Sequence, residues 1–214
     1  MEHYDGKRIL FKHAQYHEFL KQASAEQKKY FSFSTIRNPM DVVVSKYFKY
    51  KSDHENYENK KVKHGRFRKF ISPGYEAARH RFIVQNDASF EQFFLKYYKL
   101  PYSAWSILSH DKLDYLMRFE QLSEDFGRVL EKIGIEPVRE LPQFNKTGLK
   151  KKHFSEYYAS PEARQRAVRV FAPYMQQWGY EFPSDWKESR QVRGSHGMYA
   201  LVNAFRSVYW KHLR

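Results

Sequence analysis

The chain predicts an α/β fold, a parallel sheet flanked by helices, on three observations. Short apolar or aromatic runs alternate with longer segments of helical spacing, the order expected of parallel strands joined by crossover helices. Helix start and stop signals fall between those runs, with Asn38-Pro39, Ser89 and Ser160-Pro161 as openers and Pro101, Gly134 and Gly179 as closers. The 18 Phe, 17 Tyr and 4 Trp among 214 residues supply enough apolar area for a core, which excludes a wholly disordered chain.

The elements follow in order. Residues 8–13, Arg-Ile-Leu-Phe-Lys-His, read as a buried strand. Ala14 to Lys29 reads as mostly helical, with Tyr16, Phe19 and Leu20 on one face. Residues 31–36, Phe-Ser-Phe-Ser-Thr-Ile, are rich in aromatic and β-branched residues and predict a second strand. Asn38 suits an N-cap and Pro39 a first helical residue, so a helix runs from Pro39 to about Lys51, with Asp41 favouring its start. Residues 46–70 carry nine Lys/Arg against three Asp/Glu and read as a basic, partly ordered insertion. Ser89 caps a helix to Leu100, residues 114–120 form a third strand, and Leu122 to Ile133 a helix. Residues 140–153 are loop-like, with Pro142, Asn145, Gly148 and four lysines. Ser160-Pro161 opens a helix to about Trp178. Finally Met198, Leu201, Val202, Phe205, Val208 and Tyr209 recur at helical spacing and predict a terminal amphipathic helix.

Composition narrows the function classes. Without cysteine there can be no disulfide scaffold, thiolate metal site, iron–sulfur cluster or cysteine nucleophile. No apolar stretch is long enough to cross a membrane, and Glu2, His3, Asp5 and Lys7 are unlike a signal peptide, so the sequence reads as cytoplasmic. The 38 Lys and Arg against 24 Asp and Glu leave a net charge of +14 and imply an anionic partner: nucleic acid, acidic lipid, acidic polysaccharide or a phosphorylated cofactor. No carboxylates accompany the histidines in a ligand pattern, so no metal is expected.

Chemistry concentrates at residues 31–47. A strand running into a helix N-terminus gathers unsatisfied N–H groups and the positive dipole end at one point, which favours an anion. Arg37 adds a planar fork for a phosphate, and Ser45, seven residues beyond Asn38, lies on the cap's face of the helix. The competing reading makes Arg37 a surface ion-pair residue and Ser45 helix filler. His13, at the end of a strand, is placed to accept a proton from an attacking hydroxyl, or is one of ten histidines with a packing role.

FSFSTIRNPMDVVVSKYF, at 31–48, resembles the 3′-phosphate-binding segment of sulfotransferases that use 3′-phosphoadenosine 5′-phosphosulfate (PAPS). Three further stretches agree in order: LFKHA at 10–14, DYLMRFEQLSEDFGRVLEKIGI at 114–135, and the segment from Asn145 to Pro183. The resemblance covers about residues 8–183, nearer the carbohydrate-sulfating branch, and implies a P-loop nucleoside-triphosphatase-like sulfotransferase fold. It also implies roles: Arg37 and Ser45 on the cofactor's 3′-phosphate, His13 as general base, and Lys146 and Thr147 in a loop closing over PAPS. Arg118 and Glu120 pair structurally or orient the nucleotide, and Phe119 is core or borders the adenine.

The family opens with a strand, a Lys/Gly/Thr phosphate loop and a helix, whereas here DGKR directly precedes the first strand. The expectation is therefore an N-terminally incomplete fold. Residues 1–187 form the sulfotransferase-like domain and 188–214 a C-terminal amphipathic helical appendage. The implied reaction is transfer of a sulfuryl group to a hydroxyl of a glycan, an acidic polysaccharide among the candidate acceptors. A Golgi location follows if an N-terminal anchor is missing from this sequence. A catalytically inactive family member and a basic nucleic-acid-binding module are the alternatives, although no DNA- or RNA-reading motif is present.

Overall fold

The computed structural model describes residues 3–4, 7–8, 15–59, 73–142, 149–187 and 195–212. The chain divides into two compact units, one of Met1–Arg37, Ser103–Pro142 and Asn203–Arg214, the other of Asn38–Tyr102 and Gln143–Val202.

The first unit holds β1 (His3–Tyr4), β2 (Lys7–Arg8), α1 (Tyr16–Gln22), β3 (Phe33–Ile36), β4 (Tyr115–Arg118) and α5 (Leu122–Lys132). β3 and β4 pair in parallel, with Phe33 opposite Tyr115 and Ile36 opposite Arg118. The predicted parallel pairing of strands with helices on them is thus present. The Asp114 carboxylate accepts from the backbone N–H and the hydroxyl of Ser32, both at 2.7 Å, and ties the two strand entrances together. Those bonds hold the Asp114 carboxyl below its ordinary range. α5 is tied to β4 by Asp125, buried and accepting from the Arg118 N–H (2.6 Å), the Tyr115 hydroxyl (3.1 Å) and Arg128 (3.0 Å). Ile36, Met117 and Val129 are the buried apolar residues of this layer. Past the end of α5, Gly134 takes φ +70°, a left-handed turn that suits glycine.

The second unit is helical: α2 (Pro39–Lys51), α3 (Pro73–Gln85), α4 (Phe90–Tyr97) and α6 (Pro161–Trp178). Its core is aromatic. Phe90 and Phe94 of α4 meet the ring of Tyr158 edge-on, at centroid distances of 4.9 and 5.0 Å, and Phe94 stacks on Phe171 of α6. Tyr158, fully buried, donates to the Met40 carbonyl at 3.1 Å, so its hydroxyl stays satisfied in a dry interior. Both ends of α6 follow the sequence: Ser160 accepts from the Ala163 N–H, Pro161 opens the helix and Gly179 closes it in the left-handed conformation. α7 (Ser195–His212) is the terminal helix that the apolar spacing predicts. In the second unit its Tyr199 donates to Gln177 at 2.7 Å. In the first, Ser103 donates to Asn203 at 2.5 Å and Arg206 to the Ser103 carbonyl at 2.6 Å.

Four elements depart from the sequence reading. The helix expected over Ala14 to Lys29 stops at Gln22, with Ala23 extended. Ser24 and Gln27 then exchange backbone–side-chain bonds and start a separate short turn. The expected basic insertion is ordered over 46–59: α2 continues to Lys51 and Tyr57 is buried against Tyr50, while 60–72 lie outside the described residues. Of the strand expected at 8–13, Arg8 belongs to a two-residue antiparallel ladder, Lys7–Arg8 against His3–Tyr4, and the rest is outside the described residues. α3 had no sequence assignment. Its buried face includes Arg79 and His80 beside Ala77 and Ile83, which erases the apolar period that marks an amphipathic helix.

Candidate functional site

The N-terminus of α2 is built by its own sequence. The Asn38 side chain accepts from the Met40 N–H at 3.0 Å, Pro39 lacks an N–H to satisfy, and the positive dipole end is set at this turn. Asp41, buried in the first turn, forms an ion pair with Lys150. A carboxylate here would compete with an incoming anion, and the ammonium offsets it. Lys150 belongs to the lysine-rich segment at 140–153 and is 109 residues from Asp41. The first-turn position of Asp41 is legible in the sequence, but its pairing with Lys150 is not, because nothing local signals so distant a pair.

Ser45 lies further along α2 and is buried at 6% exposure. Arg37 ends the first segment of the first unit, directly after β3, with its guanidinium carbon 4.2 Å from the centroid of the Phe119 ring. Phe119 was expected to be core or to border the adenine; it is 45% exposed, so it is no core residue and serves as a platform for Arg37. Arg37 and Ser45 fall in different units, and each belongs to its own surroundings. His13, Lys146 and Thr147 lie outside the described residues.

The first unit also contains a cavity of about 430 Å³. It opens at the strands' N-terminal ends, between Tyr16 and Phe19 of α1, Tyr30 and Phe31 before β3, and Ser109 and His110 before β4. Among the described residues that line it there is no Lys, Arg, Asp or Glu. Burial pushes the His110 imidazole down to about 4, so it is neutral near pH 7. Open α/β sheets take ligands beyond the carboxyl ends of their strands, which here is the Arg37 end. The cavity lies at the opposite end, and its described lining offers a phosphate no cation. Among the described residues no cluster of His, Asp and Glu could hold a metal ion.

Against known proteins, the family model described as the sulfotransferase family matches residues 5–181 of the chain. The match takes in β3, Arg37, α2, β4, α5 and α6, and leaves α7 beyond its end. No curated protein and no solved structure matches the chain.

Proposed function

Since the chain belongs to the sulfotransferase family, we propose that it transfers the sulfuryl group of PAPS to a hydroxyl of a glycan acceptor. The observation that carries this reading is an Asn38-capped helix N-terminus directly following Arg37, inside the matched segment. These residues suit a nucleotide bisphosphate: an arginine fork and the positive end of a helix dipole both favour a phosphate dianion.

PAPS, when bound, supplies an electrophilic sulfuryl group on a nucleotide leaving group. Arg37 binds the 3′-phosphate through two N–H groups, and Phe119 restrains the guanidinium by lying against its face. Ser45 is the second residue that the resemblance assigns to that phosphate. Lys150 neutralises Asp41 so that the helix N-terminus remains attractive to an anion. Lys146 and Thr147, in the loop that also carries Lys150, cover the nucleotide. A ring nitrogen of His13 accepts the proton of the attacking hydroxyl. Sulfuryl transfer asks of the protein what phosphoryl transfer does, positioning and charge stabilisation rather than covalent catalysis. The excess of positive charge favours an acidic polysaccharide as the acceptor.

Calorimetric titration of the full chain with 3′,5′-adenosine bisphosphate tests the donor half. Arg37→Ala removes charged hydrogen bonds worth about 1.5–3 kcal/mol and weakens binding by roughly 10- to 150-fold. Absence of binding by the wild-type chain would remove the basis for the proposal. Sulfate transfer from labelled PAPS to a glycan panel tests the acceptor half, with His13→Ala expected to abolish turnover while bisphosphate binding persists.

A further inference from the structure

α7 combines two features that the sulfotransferase reading does not use. It lies beyond the family match. It also leaves an apolar stripe open to water: Met198 is 46% exposed, Leu201 68%, Phe205 72% and Val208 54%. These four recur at intervals of three and four residues, so they line one side of the helix. Tyr199, Asn203 and Arg206, which hold α7 to its own chain through Gln177 and Ser103, are offset from that stripe. Such a row of large apolar side chains on a held helix calls for a partner.

Charge identifies the partner's chemistry. From residue 189 to the C-terminus there is no Asp or Glu, while Arg190, Arg193, Lys211 and Arg214 supply four cations besides Arg206, which bonds the Ser103 carbonyl. Two such helices brought together would set like charges against each other in a chain already at +14, which disfavours a second copy as occupant. Cations on either side of an exposed apolar stripe in the sequence suit the interface of an anionic bilayer, where apolar side chains enter the acyl boundary and Lys and Arg meet the headgroups. No described helix is long and apolar enough to cross a membrane, so the contact expected is interfacial.

We propose that α7 is a membrane-surface docking helix, inserting Met198, Leu201, Phe205 and Val208 into anionic lipid. This holds whether or not the chain transfers sulfate. The experiment is sedimentation of the full chain with vesicles of phosphatidylcholine alone and with phosphatidylserine added. Binding to the phosphatidylserine vesicles, reduced by salt and absent on phosphatidylcholine, is expected. Leu201→Glu with Phe205→Glu should lower that binding more than about tenfold, and Phe205→Trp should preserve it. Both altered positions face water, so an unchanged melting curve confirms that the fold is kept. Lack of vesicle binding, equal binding to both vesicles, or indifference to the double glutamate change would each overturn the proposal. So would a concentration-dependent dimer that the double change dissolves, since the stripe would then join two copies.

Discussion

Lys150→Met tests the pair that anchors the lysine-rich loop to α2. The substitution keeps most of the aliphatic stem and deletes the charge, leaving the Asp41 carboxylate without its ammonium. The two side chains are 20% and 11% exposed, between the exposed pairs worth about 0–1 kcal/mol and the fully buried ones whose rupture costs about 3–5 kcal/mol. A loss of about 2 kcal/mol is therefore expected, and at a urea slope of about 2 kcal/mol per molar it moves the midpoint by roughly 1 M. Urea unfolding followed by tryptophan fluorescence reads it. Asp41→Asn alone should also destabilise, by orphaning the ammonium. Asp41→Asn with Lys150→Met should recover part of the loss, because no uncompensated charge remains. The double-mutant cycle then yields a coupling above about 1 kcal/mol. Strictly additive single and double changes would refute the reasoning, since a pair that does not couple cannot be holding the loop.

Other expectations follow from single sites. Arg79 is buried with its guanidinium carbon 4.0 Å from the Tyr75 ring centroid, 5.1 Å from that of Tyr97 and 5.2 Å from that of Tyr98. Arg79→Met should cost about 2 kcal/mol or more in packing and cation–π attraction and lower Tm by roughly 6 °C, and Arg79→Lys should not restore it. His110 binds its proton less readily folded than unfolded, so between pH 6.5 and about 4 the unfolded chain takes up protons that the folded chain does not. Stability should thus fall as pH drops through that window, by at most about 1.4 kcal/mol per unit, and His110→Asn should flatten the slope. Asn38→Ala deletes the cap on the Met40 N–H and should cost about 1 kcal/mol in thermal unfolding.

Legibility followed distance along the chain. The caps at Asn38-Pro39, Ser89 and Ser160-Pro161 and the stop at Gly179 each involve groups within a few residues, and the helices begin or end there as read. The helical span of α7 was likewise legible, because apolar spacing is a local property. Local competition misled the reading at Ala23, where Ser24 and Gln27 satisfy each other instead of extending α1. α3 escaped notice because Arg79 and His80 lie on its buried side, among rings of α2, of α4 and of the turns after α2.

By itself, then, the sequence determined the strand-to-helix passage at 31–48 and the polarity of the α2 N-terminus, both products of short-range geometry, and the family, through four stretches in order along the chain. Tertiary structure alone decided that Lys150 meets Asp41, that Phe119 is an exposed platform under Arg37, and which side of α7 stays bare. Those outcomes depend on which surfaces pack together once apolar area leaves water. Packing joins residues a hundred positions apart, which no local pattern of side chains can encode.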